Sequence, residues 1–181
     1  MTTDLLLNKP APDFALPLLN GSGRVTLSSL RGSIVVLHFW SAECPWSRRA
    51  DLVLVYRQAK WERHNVKVVG IACNANEPES EIRYEAELRR IKYPIVLDYA
   101  QDIVITYKIQ MTPHFVVLDQ RGVVRYSGAL DDAPTVNHLP RIIFLDLAVN
   151  ALLNGESPNP ATTPTYGSAI VRRMPALPDG R

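Results

Sequence analysis

Apolar positions along the chain fall into two kinds of run. Residues 33–40 (SIVVLHFW) and 66–73 (VKVVGIAC) are almost continuously apolar and rich in β-branched side chains. Such runs suit strands buried on both faces, as in a parallel sheet. Between them, residues 45–65 (PWSRRADLVLVYRQAKWERHN) space apolar positions helically through Leu52, Val55, Tyr56 and Ala59. Pro45 fits a first helical position, where its missing N–H costs nothing. Residues 77–94 read as a charged amphipathic helix with Pro78 near its start, residues 95–98 as a short strand, and residues 101–107 as another short helix.

Further on, residues 114–128 (HFVVLDQRGVVRYSG) place two apolar runs around a turn at 119–122, which predicts a hairpin. A last helix is expected from near Pro140 to Asn154 and Gly155. The lead-in, residues 1–32, carries scattered prolines and glycines and reads as extended, with a hairpin turn at 21–23. Residues 154–181 are proline-rich without a clear period, a tail that either wraps the surface or stays loose.

The order is strand, helix, strand, helix, strand, helix, hairpin, helix. Parallel βαβ units followed by an antiparallel hairpin make an α/β fold with a central mixed sheet flanked by helices. One domain over 1–153, followed by the tail, is the simplest organisation.

Composition narrows the function without naming it. The 181 residues are 46% hydrophobic and 21% charged, with a net charge of +2, so no nucleic-acid partner is suggested. No stretch approaches the ~20 apolar residues of a membrane span. The N-terminus MTTDLLLNKP lacks a secretory pattern, so the cytoplasm is the expected location.

Two cysteines, Cys44 and Cys73, make no disulfide framework. His64, His114 and His138 show no metal spacing with them, so neither metal nor other cofactor is expected. The thiols are either buried hydrophobes or reactive groups. Cys44 sits in FWSAECPWS, where a cysteine in place of Ser47 would complete a Cys-x-x-Cys dithiol.

Three separated segments resemble the redoxins, the alkyl hydroperoxide reductase/thiol-specific antioxidant (AhpC/TSA) family of the thioredoxin-like superfamily. They are APDFALPLLNGSGRVTLSSLRGSIVVLHFW, the loop FWSAECPW, and MTPHFVVLDQRGVVRYSGALDD. The likeness runs over roughly residues 8–153 and implies a thioredoxin-like fold. It also departs from the family pattern. Ser47 replaces the second cysteine, Leu37 replaces the proline of the peroxide-reducing signature, and Ser168 stands where some relatives carry a tail cysteine.

What the resemblance implies is a nucleophilic Cys44 at a helix N-terminus, where unpaired N–H groups, Arg48 and Arg49 favour thiolate. It also implies a cis Thr112–Pro113 bond facing Cys44, with Thr112 offering backbone groups to a sulfur-bearing substrate. Ser41 matches the peroxidase hydroxyl and Arg125 the peroxide-binding arginine. Cys73 is either a resolving thiol or a buried structural cysteine, and His38 either does the work of a buried proton-shuttling acid or is a hydrogen-bonded strand histidine. Ser47 hydrogen-bonds a thiolate but closes off an internal disulfide. One-thiol chemistry is therefore expected: thiol–disulfide exchange, or peroxide reduction in an antioxidant, peroxiredoxin-like role. Its partner would be a protein disulfide or a thioredoxin- or glutathione-type reductant, with hydroperoxide as a further substrate. The competing reading is a redox-inactive binding module that holds a peptide on a rim of Trp40, Trp46, Met111 and Phe115.

Overall fold

The computed structural model describes residues 6–133 and 135–174. The lead-in folds back as a hairpin of β1 (Ala15–Pro17) and β2 (Arg24–Thr26), and a 3-10 turn over Leu27–Leu30 follows. Next come β3 (Ile34–Trp40), α1 (Pro45–Arg63), β4 (Val66–Ala72), α2 (Glu79–Leu88), β5 (Ile95–Leu97) and α3 (Asp102–Thr106). The second half holds β6 (Met111–Thr112), β7 (His114–Leu118), β8 (Val124–Gly128), α4 (Phe144–Leu153) and β9 (Ser168–Ala169).

Five strands form the central sheet in the order β5-β4-β3-β7-β8. β3 pairs with β4 in parallel from Ile34↔Val66 to Trp40↔Ala72, and antiparallel to β7 on its other side. This mixed sheet flanked by helices is the thioredoxin-like arrangement expected from the sequence. The hairpin turn is where the sequence places it: Asp119 Oδ1 accepts the N–H groups of Arg121 and Val123, and Gly122 supplies the positive φ of 79°.

Alternation along β3 divides the core. Val36 and Trp40 face Leu54 and Trp61 of α1, together with Leu145 and Val149 of α4. Val35, Leu37 and Phe39 face Val104, Tyr107 and, from the lead-in, Phe14 and Leu27. Every residue of β3 is buried, as a strand covered on both faces requires.

Three helix expectations need correction. On α1 the apolar spacing through Leu52 and Tyr56 marks the outer face, with these side chains 71% and 84% exposed. The buried face carries Ser47, Ala50, Asp51, Leu54 and Trp61, because Asp51 has partners inside that outweigh its charge. The second helix stops at Leu88 rather than running to Pro94. Arg90 turns left-handed at φ 57°, and Ile91 N–H bonds back to Ala86 O. The last helix starts at Phe144 rather than near Pro140. Asp132 Oδ1 takes the N–H groups of Arg141 and Ile142, which fixes that stretch as a loop.

The tail lies on the domain as far as it is described. Ser127 N–H bonds to Ala161 O and Thr163 N–H to Ser127 O, and β9 then pairs with β6. Residues 1–5 and 175–181, parts of the expected lead-in and tail, lie outside the described residues.

Leu54 is fully enclosed between α1 and the sheet, so Leu54→Ala is expected to cost about 3 kcal/mol. Urea unfolding should show a lower midpoint with an unchanged slope.

Candidate active site

Cys44 is the residue preceding the first turn of α1, and its carbonyl accepts the helical hydrogen bond from Arg48 N–H. The thiol is 2% exposed and donates to Thr112 O at 3.0 Å. The Thr112–Pro113 bond is cis and directly precedes β7, the strand paired with β3, from which the Cys44 loop leaves.

The loop before Cys44 is held by two buried or half-buried charges. Glu77 Oε2 accepts Ala42 N–H at 3.0 Å, while its Oε1 takes Glu43 N–H, the Asn74 amide and the Ser41 hydroxyl. Ser41 Oγ in turn accepts Cys44 N–H at 3.1 Å. The loop carbonyls go the other way: Arg89 donates to Ser41 O and Ala42 O. Its guanidinium also reaches Asp51 and Glu85 and lies 5.1 Å from the Trp40 ring. Amides and carbonyls of this loop are thus matched to opposite charges.

Burial pushes the Cys44 thiol up, yet its pKa is held below the ordinary value. The Ser168 hydroxyl, the Ser47 N–H, the Ser168 N–H and the Ser47 hydroxyl all stabilise the thiolate. Ser47 Oγ is fully buried and, beside a protonated thiol, has no hydrogen-bond partner among the described residues. Deprotonation of Cys44 gives that hydroxyl an acceptor. Arg48 and Arg49, expected to add positive potential, are instead taken up by Glu85 and Asp131.

Other sequence candidates sit elsewhere. His38 stacks on Phe115 at 4.6 Å, its Nδ1 lies 3.4 Å from the Tyr93 hydroxyl and 3.8 Å from Asp51, and its Nε2 has no partner among the described residues. Burial lowers its pKa to about 4, so the ring is neutral at physiological pH. Ser41 faces Glu77 and the loop amides rather than serving as a free hydroxyl. Arg125 spends its guanidinium on Ser157 Oγ at 2.7 Å.

Cys73 follows β4 and belongs to the core layer of Phe39 and Tyr107, with its sulfur 4.0 Å from Trp40 O. Burial and the Asp98 and Glu77 charges push its thiol far up, and both cysteines are free. The rim proposed for peptide binding does not form: Trp40 and Phe115 are fully buried, Trp46 stacks on Tyr166, and Met111 pairs with Ala169.

Glu77, Arg89 and Asp51 were not singled out from the sequence. Glu77 is one acid in an acidic helix start, and Arg89 one of two adjacent arginines. Neither spacing nor composition separates them from solvated charges.

A family model described as "AhpC/TSA family" matches residues 7–127. The chain is similar to the thiol-disulfide oxidoreductase ResA of Halalkalibacterium halodurans, 28% identical over 63% of each chain. It also resembles ResA of Geobacillus kaustophilus, 27% identical over 77% of this chain and 80% of the relative. The chain therefore spans slightly under two thirds of the first relative's length. Among solved structures, an uncharacterized conserved protein from Geobacillus kaustophilus superposes with a TM-score of 0.86 at 25% identity, covering 94% of both chains. A "putative Thiol:disulfide interchange protein DsbE from Chlorobium tepidum" superposes with a TM-score of 0.62 at 26% identity, over 67% of this chain and 83% of its own.

Two outcomes follow from this geometry. His38 and His114 both have pKa values lowered to about 4 by burial. Between about pH 6.5 and 4 the unfolded chain binds protons that the native chain refuses, so stability falls on acidification across that window. Urea titrations from pH 7 to 4 should show it, and His38→Gln should reduce the pH slope. Glu77→Ala leaves loop donors unpaired and is expected to cost about 2–3 kcal/mol in the same assay.

Proposed function

Because the chain belongs to the AhpC/TSA family, we propose that it is a thiol–disulfide oxidoreductase that works through the single thiol of Cys44. One observation carries this reading: the Cys44 sulfur lies against the cis-Pro loop while two serines hold its pKa down. The names of the ResA and DsbE relatives support the same reaction class.

The chemistry is two exchanges. The Cys44 thiolate attacks one sulfur of a disulfide, forming a mixed disulfide and releasing the other sulfur as thiolate. A second, external thiolate then attacks that bond, carries away the substrate half as a new disulfide and returns Cys44 as thiolate. Ser47 closes the internal route. Cys73, buried among apolar side chains with a strongly raised pKa, is a poor resolving group. A reducing compartment such as the cytoplasm suits a cycle that depends on external thiol.

Exchange is favoured over peroxide reduction because the donors that peroxide requires are engaged elsewhere. Ser41 serves Glu77 and Arg125 serves Ser157. What remains around the sulfur are Thr112 O, Ser47 and Ser168.

Cys44→Ala should abolish mixed-disulfide formation with a small aromatic disulfide, whereas Cys73→Ala should leave it intact. Ser47→Ala should slow Cys44 alkylation at neutral pH about fivefold, the effect of losing a hydrogen bond of about 1 kcal/mol. An ordinary thiol pKa for Cys44 in the unaltered chain would remove the basis for this function.

A further inference from the structure

The tail passes over Cys44 as a narrow strap. Ser168 and Ala169 pair antiparallel with Thr112 and Met111, and Ile170 N–H bonds to Gln110 O at 3.0 Å. The strap therefore occupies the backbone edge of the cis-Pro loop beside the sulfur. At Gly167 the approach is so close that a Cβ would lie 2.0 Å from Thr112 O, the atom that accepts the Cys44 thiol. Only glycine fits there. Tyr166, just upstream, stacks on Trp46 with centroids 6.1 Å apart.

The strap is fastened by hydrogen bonds, some exposed and some part-buried. Val171 N–H donates to Asn74 Oδ1, Val171 O accepts from Ala75 N–H and the Gln101 amide, and Arg173 N–H donates to Gln101 Oε1. Between Tyr166 and Arg173 only Ile170 is buried. A segment with one buried side chain and partly exposed hydrogen bonds sits at the low end of local stability, so it lifts without disturbing the sheet. The cover over Cys44 is thin as well, since the flanking residues Glu43 and Pro45 are exposed.

We propose that residues 166–171 gate Cys44 by size: while seated, the strap restricts the thiol to low-molecular-weight disulfides and shuts out a disulfide carried on another protein. This rests on the reading of Cys44 as a reactive thiol. A small disulfide needs only a brief local opening beside the strap to reach the sulfur. A polypeptide-borne disulfide needs room for its own backbone, and the strap already uses the Thr112 edge. The exchange itself is unchanged: a bond forms between Cys44 and one substrate sulfur, and the other sulfur leaves as thiolate. Ser168 ties gate to chemistry, because its hydroxyl and N–H leave the sulfur when the strap lifts.

The test compares two maleimides on the folded full-length chain, N-ethylmaleimide and the same group on a polymer of protein size, with Cys44 labelling quantified by peptide mapping. Taking the ratio of polymer rate to small-reagent rate cancels changes in thiolate fraction. Gly167→Val, whose side chain has no room against Thr112 O, should raise that ratio about tenfold or more. Tyr166→Ala, which removes the Trp46 stack, should raise it in the same direction and carries the test if circular dichroism shows Gly167→Val unfolded. A ratio unchanged in both variants, with brisk small-reagent labelling throughout, overturns the gate and leaves the reactive thiol standing. Failure of every folded form to react with either reagent, while the urea-unfolded chain takes both, overturns the reactive thiol and the gate with it.

Discussion

The site depends on how the four residues before α1 dispose of their backbone groups. A loop leaving a buried strand must satisfy its amides and carbonyls without water. Here Glu77 collects amides and Arg89 collects carbonyls, so the loop is held between opposite charges brought in from just before and just after α2. Cys44 takes its place at the helix end as a result. The same arrangement explains why Asp51 points into the core: it balances Arg89 and accepts from Trp40 Nε1 and the Tyr93 hydroxyl.

Placing charge on this side of the sheet divides the two cysteines chemically. Cys44 meets hydroxyls and amides that welcome a thiolate. Cys73, one strand away, meets apolar side chains and the fields of Asp98 and Glu77, which oppose one. Cys44 lies at the N-terminal end of α1 and Cys73 just after β4, so the two sulfurs meet different partners. The partners around each sulfur, more than distance along the sheet, set which of the two thiols is favoured as thiolate.

The sheet was legible because β3, β4 and the 114–128 hairpin are long apolar runs with clear punctuation, and Pro45 and Gly122 mark their boundaries. Cys44 and the cis Thr112–Pro113 bond were reachable through family likeness alone, since no periodicity encodes a cis bond. Helix ends were less legible. Arg90 and Asp132 set them through a left-handed turn and a side-chain hold on the loop before the helix, both of which depend on partners brought by the fold. The face of α1 was misjudged because its buried side includes a carboxylate, which pattern reading assigns to solvent. Ser41 and Arg125 matched by position while their hydrogen bonds lead elsewhere. A motif fixes where a residue sits along the chain, and its neighbours in space fix what it touches.

The outermost strands of the central sheet are both shielded by the chain's own extensions. Beside β5, Leu18 bridges to Val96 and Leu19 N–H bonds to Ile95 O. Beside β8, residues 161–163 run parallel to Ser127 and exchange hydrogen bonds with it. Uncovered strand edges are templates for pairing with another molecule. The two irregular segments therefore act as bumpers against copies of this sheet joining edge to edge. Their lack of periodicity fits that task, since a guard has only to occupy a few backbone groups and then turn away.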